Sequence, residues 1–515
     1  MIEPEKVDEL LSDLPRGRHP HHVGDPPHAY FELPRNLLAT PSLQMEPGNP
    51  HSKIFLGVIG GYLKDKRTSS GRIHRYVTGG SPLGLADDRH HLLLANSRGD
   101  KGRAALITNL ILAPATTSTL NIDVKGEFAL STARWRAEGL GQATYIADSA
   151  GVTGSLGERY PCNFNPMNEL ERCGLLRMVP TAVLIADALI AEGQLRDPHW
   201  DLTAARLLAA LLVHVATHGK YQGRRDLVTV RELIMRAGEP DPLDPHRFWL
   251  ESEMLANDAC GGFVSNAARE QYDRAPGEAS SVLSNLRKHT SWIDFGFMAR
   301  SLRGQGIDLR DLKRRAINIY LVVRPMDMAA LSGWLRLFIQ LALAAHEEEP
   351  EQYGASTLLT LDEFHILQRM RQLESAAALI AGLGCKLYIV LQDLGQLRSL
   401  YPQSWETFIG NSGCIQVFSV SDFGSCEYVS KLLGTAPTVT HSAHQPTFEQ
   451  ATQKAATGES WSLGVHPLLT PEEVRRYFAR DDHLLRQLIL RPGFRPAVMQ
   501  RAYYHAHELF AGKFD

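Results

Sequence analysis

Two carboxylates stand side by side at the end of a short apolar run. Asp362 and Glu363 directly follow the run LLTL at 358–361, which predicts a buried strand. Ligands of open parallel sheets bind at the carboxyl ends of the strands, so this pair is predicted to lie at a binding edge. One carboxylate can organise Mg²⁺ through water while the next orients a water molecule toward a γ-phosphate. Taken alone, the pair is better explained as surface residues that end a strand, because such pairs are common.

A glutamine ends the next apolar run. The run KLYIVL at 386–391 predicts another strand, and Gln392 follows it directly. A glutamine at the tip of a neighbouring strand can contact a γ-phosphate or the water that attacks it. The alternative, which the residue by itself favours, is a strand-end cap hydrogen-bonded to a loop.

A polar loop with one lysine lies earlier in the chain. The strand-like run HLLLA at 91–95 leads into ANSRGDKG at 95–102, and helical spacing follows over 103–112. A phosphate loop has the pattern GxxxxGK[ST], in which backbone N–H groups and the lysine hold the phosphates. Lys101 stands at the lysine position, whereas Ala95 and Asp100 occupy the two glycine positions. The sequence therefore predicts an altered phosphate loop.

Asp100 is the more serious of these two changes. A residue other than glycine at positive φ costs roughly 1–2 kcal/mol. A carboxylate also repels phosphates, by roughly 4 kcal/mol for charges about 4 Å apart at an effective dielectric near 20. A pair between Asp100 and Lys101 would further withdraw the lysine from a ligand. We expect weakened ATP affinity, with a smaller contribution from Ala95.

Strand-like runs alternate with helical stretches in two parts of the chain, 51–170 and 289–515. This alternation predicts an α/β fold with a mostly parallel sheet covered on both faces. Asp123, Asp362 and Gln392 should then lie at strand ends facing the loop 95–102. Residues 171–288 have helical periodicity almost without strand-like runs, which indicates an all-α insertion domain. Residues 1–50 predict a loosely ordered arm, and 435–461 predict a mobile loop.

Bulk properties exclude several classes of protein. The formal net charge of −3 gives no general attraction to nucleic acid, and no helix-turn-helix or zinc signature indicates a DNA-binding regulator. The six cysteines form no CxxC pair, which is typical of reduced thiols. The longest apolar stretches, near 207–216 and 337–345, are shorter than the roughly 20 residues of a membrane span. We expect a cytoplasmic protein that reaches the inner membrane only through partners.

Longer stretches carry a family resemblance. The segments LLTLDEFHILQRMRQLESAAALIAGLGCKLYIVLQDLGQLRSLY and ETFIGNSGCIQVFSVSDFGSCEYVSKLLG resemble the ATPase core of the TraG/TraD-type coupling proteins of conjugation and type IV secretion. These coupling proteins are FtsK/HerA-like P-loop ATPases. The segments NIDVKGEF, FNPMNEL, HWDLTAARLL, SVLSNLRKH, IYLVVRPMDMAALSGWLRL and LLTPEEVRRYF follow the family's order. The resemblance covers roughly residues 85–505.

The resemblance implies a RecA-like P-loop NTPase core interrupted by an all-α domain and assembled as a hexameric ring. Such a ring uses ATP and Mg²⁺ to deliver DNA or protein, with relaxosome or secretion-channel proteins as partners. Carried over by position, Lys101 is the phosphate lysine, Asp362 the acid that organises Mg²⁺ through water, Glu363 the catalytic glutamate and Gln392 the sensor. The implied nucleotide contacts are Ser97, Arg98, Gly99, Lys101, Gly102 and Arg103. Arg287 and Arg336 are the candidates for an arginine finger.

Two departures from the family leave two functions open. The paired N-terminal membrane helices usual in the family are not found in this sequence, and the phosphate loop is altered. The first hypothesis is a working motor, supported by the acidic pair, Gln392 and Lys101. The second is a ring-forming adaptor that retains the fold without turnover, supported by Ala95 and Asp100.

Overall fold

The computed structural model describes residues 9–15, 29–67, 73–190, 199–349, 356–374, 380–443 and 459–515. The strands in these ranges are β1 (Ile54–Ile59), β2 (Tyr62–Arg67), β3 (Ile73–Thr78), β4 (Ser81–Leu85), β5 (His90–Leu94), β6 (Thr117–Val124), β7 (Ala143–Ala147), β8 (Ile317–Val323), β9 (Ser356–Leu361), β10 (Cys385–Leu391), β11 (Ser412–Val417), β12 (Thr435–Ala443), β13 (Glu459–Pro467), β14 (Arg486–Leu490) and β15 (Ala497–Gln500).

Eleven of these strands form one sheet in the order β4-β1-β15-β14-β11-β5-β10-β9-β6-β8-β7. The seven strands from β11 to β7 pair in parallel, and the other four add to the β11 edge in antiparallel pairs. Strands β5, β8 and β11 are buried along their whole length. Continuous burial is expected of parallel strands that helices cover on both faces. The predicted α/β class with a mostly parallel sheet is confirmed.

Most of the longest α-helices among the described residues lie between β7 and β8, and another long one, Ser332–Glu348, follows β8. The α-helices span Pro34–Leu38, Ile107–Leu112, Glu127–Arg134, Ser155–Arg159, Met167–Arg172, Gly174–Leu189, His199–Thr217, Leu227–Arg236, Trp249–Leu255, Ala259–Tyr272, Pro276–His289, Gly296–Ser301, Asp311–Arg314, Ser332–Glu348, Leu394–Leu400, Trp405–Gly410, Phe423–Leu433 and Pro471–Tyr477. A π-helical turn, Gly102–Leu106, precedes Ile107–Leu112.

The described residues between β7 and β8 contain helices and no β-strand. The helix Gly174–Leu189 packs against Ser332–Glu348, the helix that follows β8, and both belong to one hydrophobic core. The division into domains at 171–288 stays a prediction, because the first helix of this segment shares its core with the sheet's own helices. Among the described helices, His199–Thr217 is by length and composition able to cross a membrane, but most of it is buried within the protein.

Two segments that the sequence predicts to be loosely ordered differ from that expectation. In the N-terminal 50 residues, the described parts pack against the core, with Leu10, Leu14 and Phe31 buried. Burial of these apolar side chains stabilises the packed conformation, although the segment as a whole has few apolar residues. The expected loop at 435–461 instead contains β12 and the first three residues of β13, and these two strands pair as an antiparallel ribbon. Residues 444–458 of that prediction lie outside the described residues.

Candidate functional site

Three polar residues that the sequence analysis selected follow three adjacent strands. Asp123 lies at the carboxyl end of β6, Asp362 directly follows β9, and Gln392 directly follows β10. These strands are parallel neighbours, and β5 pairs with β10 on the side away from β9. The loop after β5 therefore meets the same edge of the sheet, as the alternation of strands and helices predicts.

Lys101 joins that loop to the acidic pair. Its Nζ lies 2.8 Å from Asp362 Oδ1 and 2.6 Å from Glu363 Oε1. All three side chains are largely buried. Burial lowers the pKa of Lys101, but the two carboxylates outweigh burial and raise the pKa above its usual value. The ammonium is therefore held in its charged form between two buried acids.

Glu363 is the centre of the hydrogen bonding at this edge. Gln392 Nε2 donates to Glu363 Oε2 at 2.6 Å, and His365 Nδ1 lies 3.6 Å from the same oxygen. Burial acts to raise the pKa of Glu363, but Lys101 and Gln392 together hold it below its usual value. Glu363 also has a left-handed backbone, φ 55°, which turns the chain sharply after β9. The strained turn directs a carboxylate at Lys101 and Gln392 together.

The neighbouring carboxylates are less easily ionised. Burial raises the pKa of Asp123 to about 7, and the nearby Asp362 adds to this rise. Hydrogen bonds from the backbone N–H groups of Phe128 and Ala129 to the Asp123 carboxyl oppose it. Burial likewise raises the pKa of Asp362, against the effect of Lys101. The site thus contains one acid held ionised, Glu363, beside two whose ionisation burial disfavours.

The loop after β5 has the conformation of a glycine-rich turn without all of the glycines. Arg98 and Asp100 have φ values of 59° and 64°, in the left-handed region. A Cβ on Gly99 would lie 2.8 Å from Asn96 O and 2.8 Å from Ser419 Cβ, so this position needs glycine. Ala95 is buried and outside the left-handed region, so its backbone does not require glycine.

The Asp100 side chain has partners other than the one expected. Arg480 Nε lies 3.3 Å and the Tyr503 hydroxyl 3.4 Å from Asp100 Oδ2, and Arg103 Nη1 lies 3.9 Å from Oδ1. The expected pair between Asp100 and Lys101 is wrong, because Lys101 is held by the acidic pair after β9. The left-handed backbone turns the two successive side chains to different partners.

A cleft of about 660 Å³ opens over this edge. Of the residues that the sequence analysis selected, Ser97, Arg98, Lys101, Gly102, Arg103, Asp362 and Glu363 line it. Gly99 is absent from the lining, and its N–H donates to Asn96 O within the loop. Lys125, Glu127 and Arg480, which were not predicted from the sequence, also line the cleft. Lys125 and Glu127 flank a glycine directly after β6, so their place in the DVKGEF motif could have indicated that they lie at the site. The sequence around Arg480 contains no pattern that indicates a place in the cleft.

The residues present fit a magnesium ion that is shared with a nucleotide. Asp362 Oδ1 is buried and accepts no hydrogen bond, although it forms the ion pair with Lys101. The phosphate-loop pattern has Ser or Thr after the lysine, whereas Gly102 has no hydroxyl to offer a metal. The space beside Gly102 is open, because a Cβ added there would meet only Glu127 Oε2, at 4.0 Å. No group of three or more Asp, Glu, His or Cys among the described residues is arranged to hold a metal by itself. Mg²⁺ usually binds through one or two carboxylates, waters and substrate phosphates, which suits Asp362.

The two arginine-finger candidates differ in exposure. Arg336 is buried and donates to the carbonyl oxygens of Ala188 and Leu189 at 2.7 and 3.2 Å, so it cannot reach a neighbouring molecule. Burial lowers its pKa to about 10. Arg336 is therefore wrong as a candidate, because it ties two helices together. Arg287 is half-buried on the helix Pro276–His289, and its role stays a prediction.

A mostly parallel sheet, with a lysine-bearing loop after one central strand and an acidic pair two strands away, defines a RecA-like P-loop NTPase fold. Residues 58–513 match the family described as Type IV secretory system Conjugative DNA transfer. The chain belongs to that family, and the resemblance seen in its sequence is confirmed.

Named relatives agree with this assignment. The chain is 26% identical over 404 residues to conjugal transfer protein TraG of Escherichia coli, an alignment that covers 75% of this chain and 61% of that protein. It is 25% identical over 475 residues to protein VirD4 of Agrobacterium fabrum, covering 88% and 65%. The chain thus spans somewhat less than two thirds of the length of these relatives.

Solved structures share the fold. The unbound form of the bacterial conjugative coupling protein TrwBdeltaN70 matches with a TM-score of 0.59 at 14% identity, over 81% of this chain and 87% of that one. The plasmid coupling protein TrwB in complex with ADP and Mg²⁺ matches with a TM-score of 0.57 at 13% identity, over 82% and 88%. At these identities the likeness establishes the fold alone.

Proposed function

We propose that this chain is the ATP-hydrolysing part of a coupling protein that recruits DNA or protein cargo and drives it toward a conjugative or type IV secretion channel. One observation carries the proposal: Lys101 Nζ lies within 2.8 Å of both Asp362 and Glu363, and Gln392 donates to Glu363. A lysine, an acidic pair and a polar sensor at one sheet edge are the parts that phosphoryl transfer to water requires. The TrwB complexes with ADP and Mg²⁺ and with an ATP analogue support nucleotide as the ligand.

The geometry supports a simple sequence of contacts. An arriving γ-phosphate competes with the carboxylates for Lys101, and the lysine exchanges its partners for phosphate oxygens. Glu363 then loses the cation that holds its pKa down and becomes a better proton acceptor for the attacking water. Gln392, already hydrogen-bonded to Glu363, orients that water. When bound, Mg²⁺ would neutralise part of the phosphate charge, and Asp362 would hold the ion through water.

The assembly and partners follow from the family. A RecA-like coupling protein would act as a homo-oligomeric, hexameric ring, with relaxosome or secretion-channel proteins as partners. We place it in the cytoplasm or at the inner membrane through those partners. The family description, which refers to conjugative DNA transfer, supports a DNA cargo over a protein cargo.

A second candidate is an adaptor that keeps the ring and has lost turnover. It is favoured by Asp100, a carboxylate with a left-handed backbone on the wall of the cleft. Both features oppose phosphate binding, through backbone strain and charge repulsion. The pairing of Asp100 with Arg480 and Arg103 reduces that repulsion, so the motor is the better supported function.

The deciding experiment measures ATP·Mg²⁺ binding by calorimetry and phosphate release for the wild type and Glu363→Gln. We expect the variant to bind ATP about as well as the wild type and to hydrolyse it about 10²–10⁴-fold more slowly, the usual effect of a general base. Glu127→Gln is the matched control, because Glu127 is an exposed residue of the same cleft, whereas the contacts of Lys101 and Gln392 are with Asp362 and Glu363. A wild type that neither binds nor hydrolyses ATP would instead support the adaptor.

A further inference from the structure

The loop after β5 is held from outside the cleft by the segment that follows β11. The Ser419 hydroxyl donates to Gly99 O at 3.1 Å, and Asn96 Nδ2 donates to the Ser421 hydroxyl oxygen. Ser419 has a left-handed backbone, φ 56°, which residues other than glycine rarely adopt. Two side-chain hydrogen bonds therefore join the loop to a sharply turned segment of another strand.

A buried arginine stands behind the serine. Arg501 has no exposed surface, and its Nη1 donates to Ser419 Oγ at 3.3 Å. Its Nη2 donates to the carbonyl oxygens of Ala479 and Arg480 at 3.0 and 2.8 Å. A serine hydroxyl has one hydrogen, and because Arg501 already donates to the Ser419 oxygen, that hydrogen is left for Gly99 O. Arg501 thus sets the direction in which the hydroxyl donates.

The direction of one peptide group in the loop depends on this chain of hydrogen bonds. Gly99 C=O and Asp100 N–H belong to the same planar trans peptide, so they point in opposite directions. Because Ser419 holds the carbonyl, the N–H of Asp100 points away from Ser419, and among the described residues it donates to no protein acceptor. Asp100 lines the cleft, whereas Ser419 and Arg501 lie outside its lining. The N–H group is thus left for an anionic oxygen in the cleft.

Arg501 also holds the partner of the Asp100 side chain. Its hydrogen bond to Arg480 O fixes the backbone from which the Arg480 side chain reaches Asp100, where Nε lies 3.3 Å from Oδ2. One buried guanidinium therefore acts on the loop in two ways. Through Ser419 it holds the backbone of the turn, and through Arg480 it holds the cation beside the turn's carboxylate.

We propose that Ser419 and Arg501 are positioning residues of the phosphate site. Arg501 orients the Ser419 hydroxyl, and the hydroxyl fixes the peptide between Gly99 and Asp100 so that its N–H meets a phosphate oxygen of the nucleotide. When the hydroxyl is removed, this peptide is free to rotate and the N–H no longer points steadily at the phosphate. Both residues act in this way only if phosphate is the ligand of the loop, so the inference rests on the proposed function.

The test uses Ser419→Gly, which removes the hydroxyl and also relieves the left-handed backbone. The variant should therefore unfold in urea at about the same midpoint as the wild type. We expect its Kd and KM for ATP at fixed Mg²⁺ to rise about ten-fold, the effect of losing one hydrogen bond to a charged group. Its kcat should stay within about two-fold of the wild type, because the loop holds the phosphates alike before and during the reaction.

Ser412→Ala is the matched control on the same strand. Ser412 is buried at the first position of β11, and its hydroxyl donates to Phe408 O at 2.7 Å. The variant loses an equivalent hydrogen bond at the opposite end of the strand, so its Kd and KM for ATP should equal those of the wild type.

Arg501→Lys tests the coupling between the two residues. Lysine keeps the positive charge but lacks the planar fork of donors that joins Ser419 to the carbonyl oxygens of Ala479 and Arg480. Ser419→Gly should therefore weaken ATP binding less in the Arg501→Lys background than in the wild type, because the two residues act in one chain.

The remaining outcomes separate this inference from the proposed function. Unchanged ATP affinity in Ser419→Gly, or an equal loss in Ser412→Ala, overturns the inference and leaves the proposed function standing. Fully additive effects of Ser419→Gly and Arg501→Lys also overturn it, because the residues then act separately. A wild type that neither binds nor hydrolyses ATP overturns both. If Arg501→Lys does not fold, the comparison of Ser419→Gly with Ser412→Ala decides the inference by itself.

Discussion

Arg480 lies against Asp100 at the mouth of the cleft, with its Nε 3.3 Å from Asp100 Oδ2, although 380 residues separate them. The contact partly neutralises a carboxylate that would otherwise repel phosphates. The same contact engages the guanidinium of Arg480, which lines the cleft and could otherwise attract phosphates. We therefore expect Asp100 to weaken phosphate binding in two ways, because its backbone has positive φ and its side chain holds Arg480.

Asp100→Gly should tighten ATP binding by about ten-fold, which corresponds to ~1.4 kcal/mol. Glycine relieves the backbone strain and releases Arg480 toward the phosphates. Asp100→Asn removes only the charge and should give a smaller gain. Calorimetric titration with ATP at fixed Mg²⁺ measures the series. Ala95→Gly is the control and should give no gain, because the backbone of Ala95 is outside the left-handed region. Micromolar binding by the wild type with no gain in Asp100→Gly would contradict this account.

Asp123 should make stability depend on pH. An unfolded aspartate ionises near pH 4, whereas burial raises the pKa of folded Asp123 to about 7. Between these values the folded state keeps a proton that the unfolded state has lost, so the free energy of unfolding falls as the pH rises. Asp123→Asn cannot ionise and should lose this dependence.

Urea denaturation from pH 4 to pH 8 measures the difference between wild type and Asp123→Asn. From pH 4 to pH 8 the wild type should lose on the order of 4 kcal/mol of unfolding free energy relative to Asp123→Asn. This corresponds to about 1.4 kcal/mol for each unit by which folding raises the pKa. Asp148→Asn is the matched control, because Asp148 also accepts two backbone N–H groups but is only half-buried. Parallel curves for wild type and Asp123→Asn would mean that Asp123 is already ionised at pH 4.

Arg336→Met should destabilise the protein without changing its chemistry. The substitution leaves the carbonyl oxygens of Ala188 and Leu189 without their donor, at a cost of roughly 2–4 kcal/mol for two buried acceptors. Denaturant unfolding measures the stability, and phosphate release per folded molecule measures turnover. A folded Arg336→Met protein that binds ATP but hydrolyses it at least ten-fold more slowly would restore Arg336 as an arginine finger. Arg287→Ala is the parallel variant for the remaining candidate.

The sequence was most informative where function depends on local pattern. Asp123, Asp362 and Gln392 each follow a short apolar run, and such a run in an α/β chain predicts a parallel strand whose end faces the site. Contacts between distant segments were not predictable. Arg480 and Tyr503 reach the loop because β14 and β15 add to the sheet in antiparallel pairs beside β11. The partners of Asp100 could not be predicted either, since they depend on the folded structure, in which its carboxylate contacts Arg480 and Tyr503 and Lys101 contacts Asp362 and Glu363.

The ion pairs of Lys101 have a consequence for the timing of the reaction. Without a nucleotide, the lysine acts as an internal counter-ion that keeps Glu363 weakly basic. Under the proposed function, the same ammonium cannot fully neutralise Glu363 and hold a γ-phosphate, so we expect the arriving phosphate to release the base as well. Proton abstraction would then depend on the presence of the nucleotide, and Glu363 would not activate water in an empty site. One change of partner by the Lys101 side chain would control both nucleotide binding and the strength of the base.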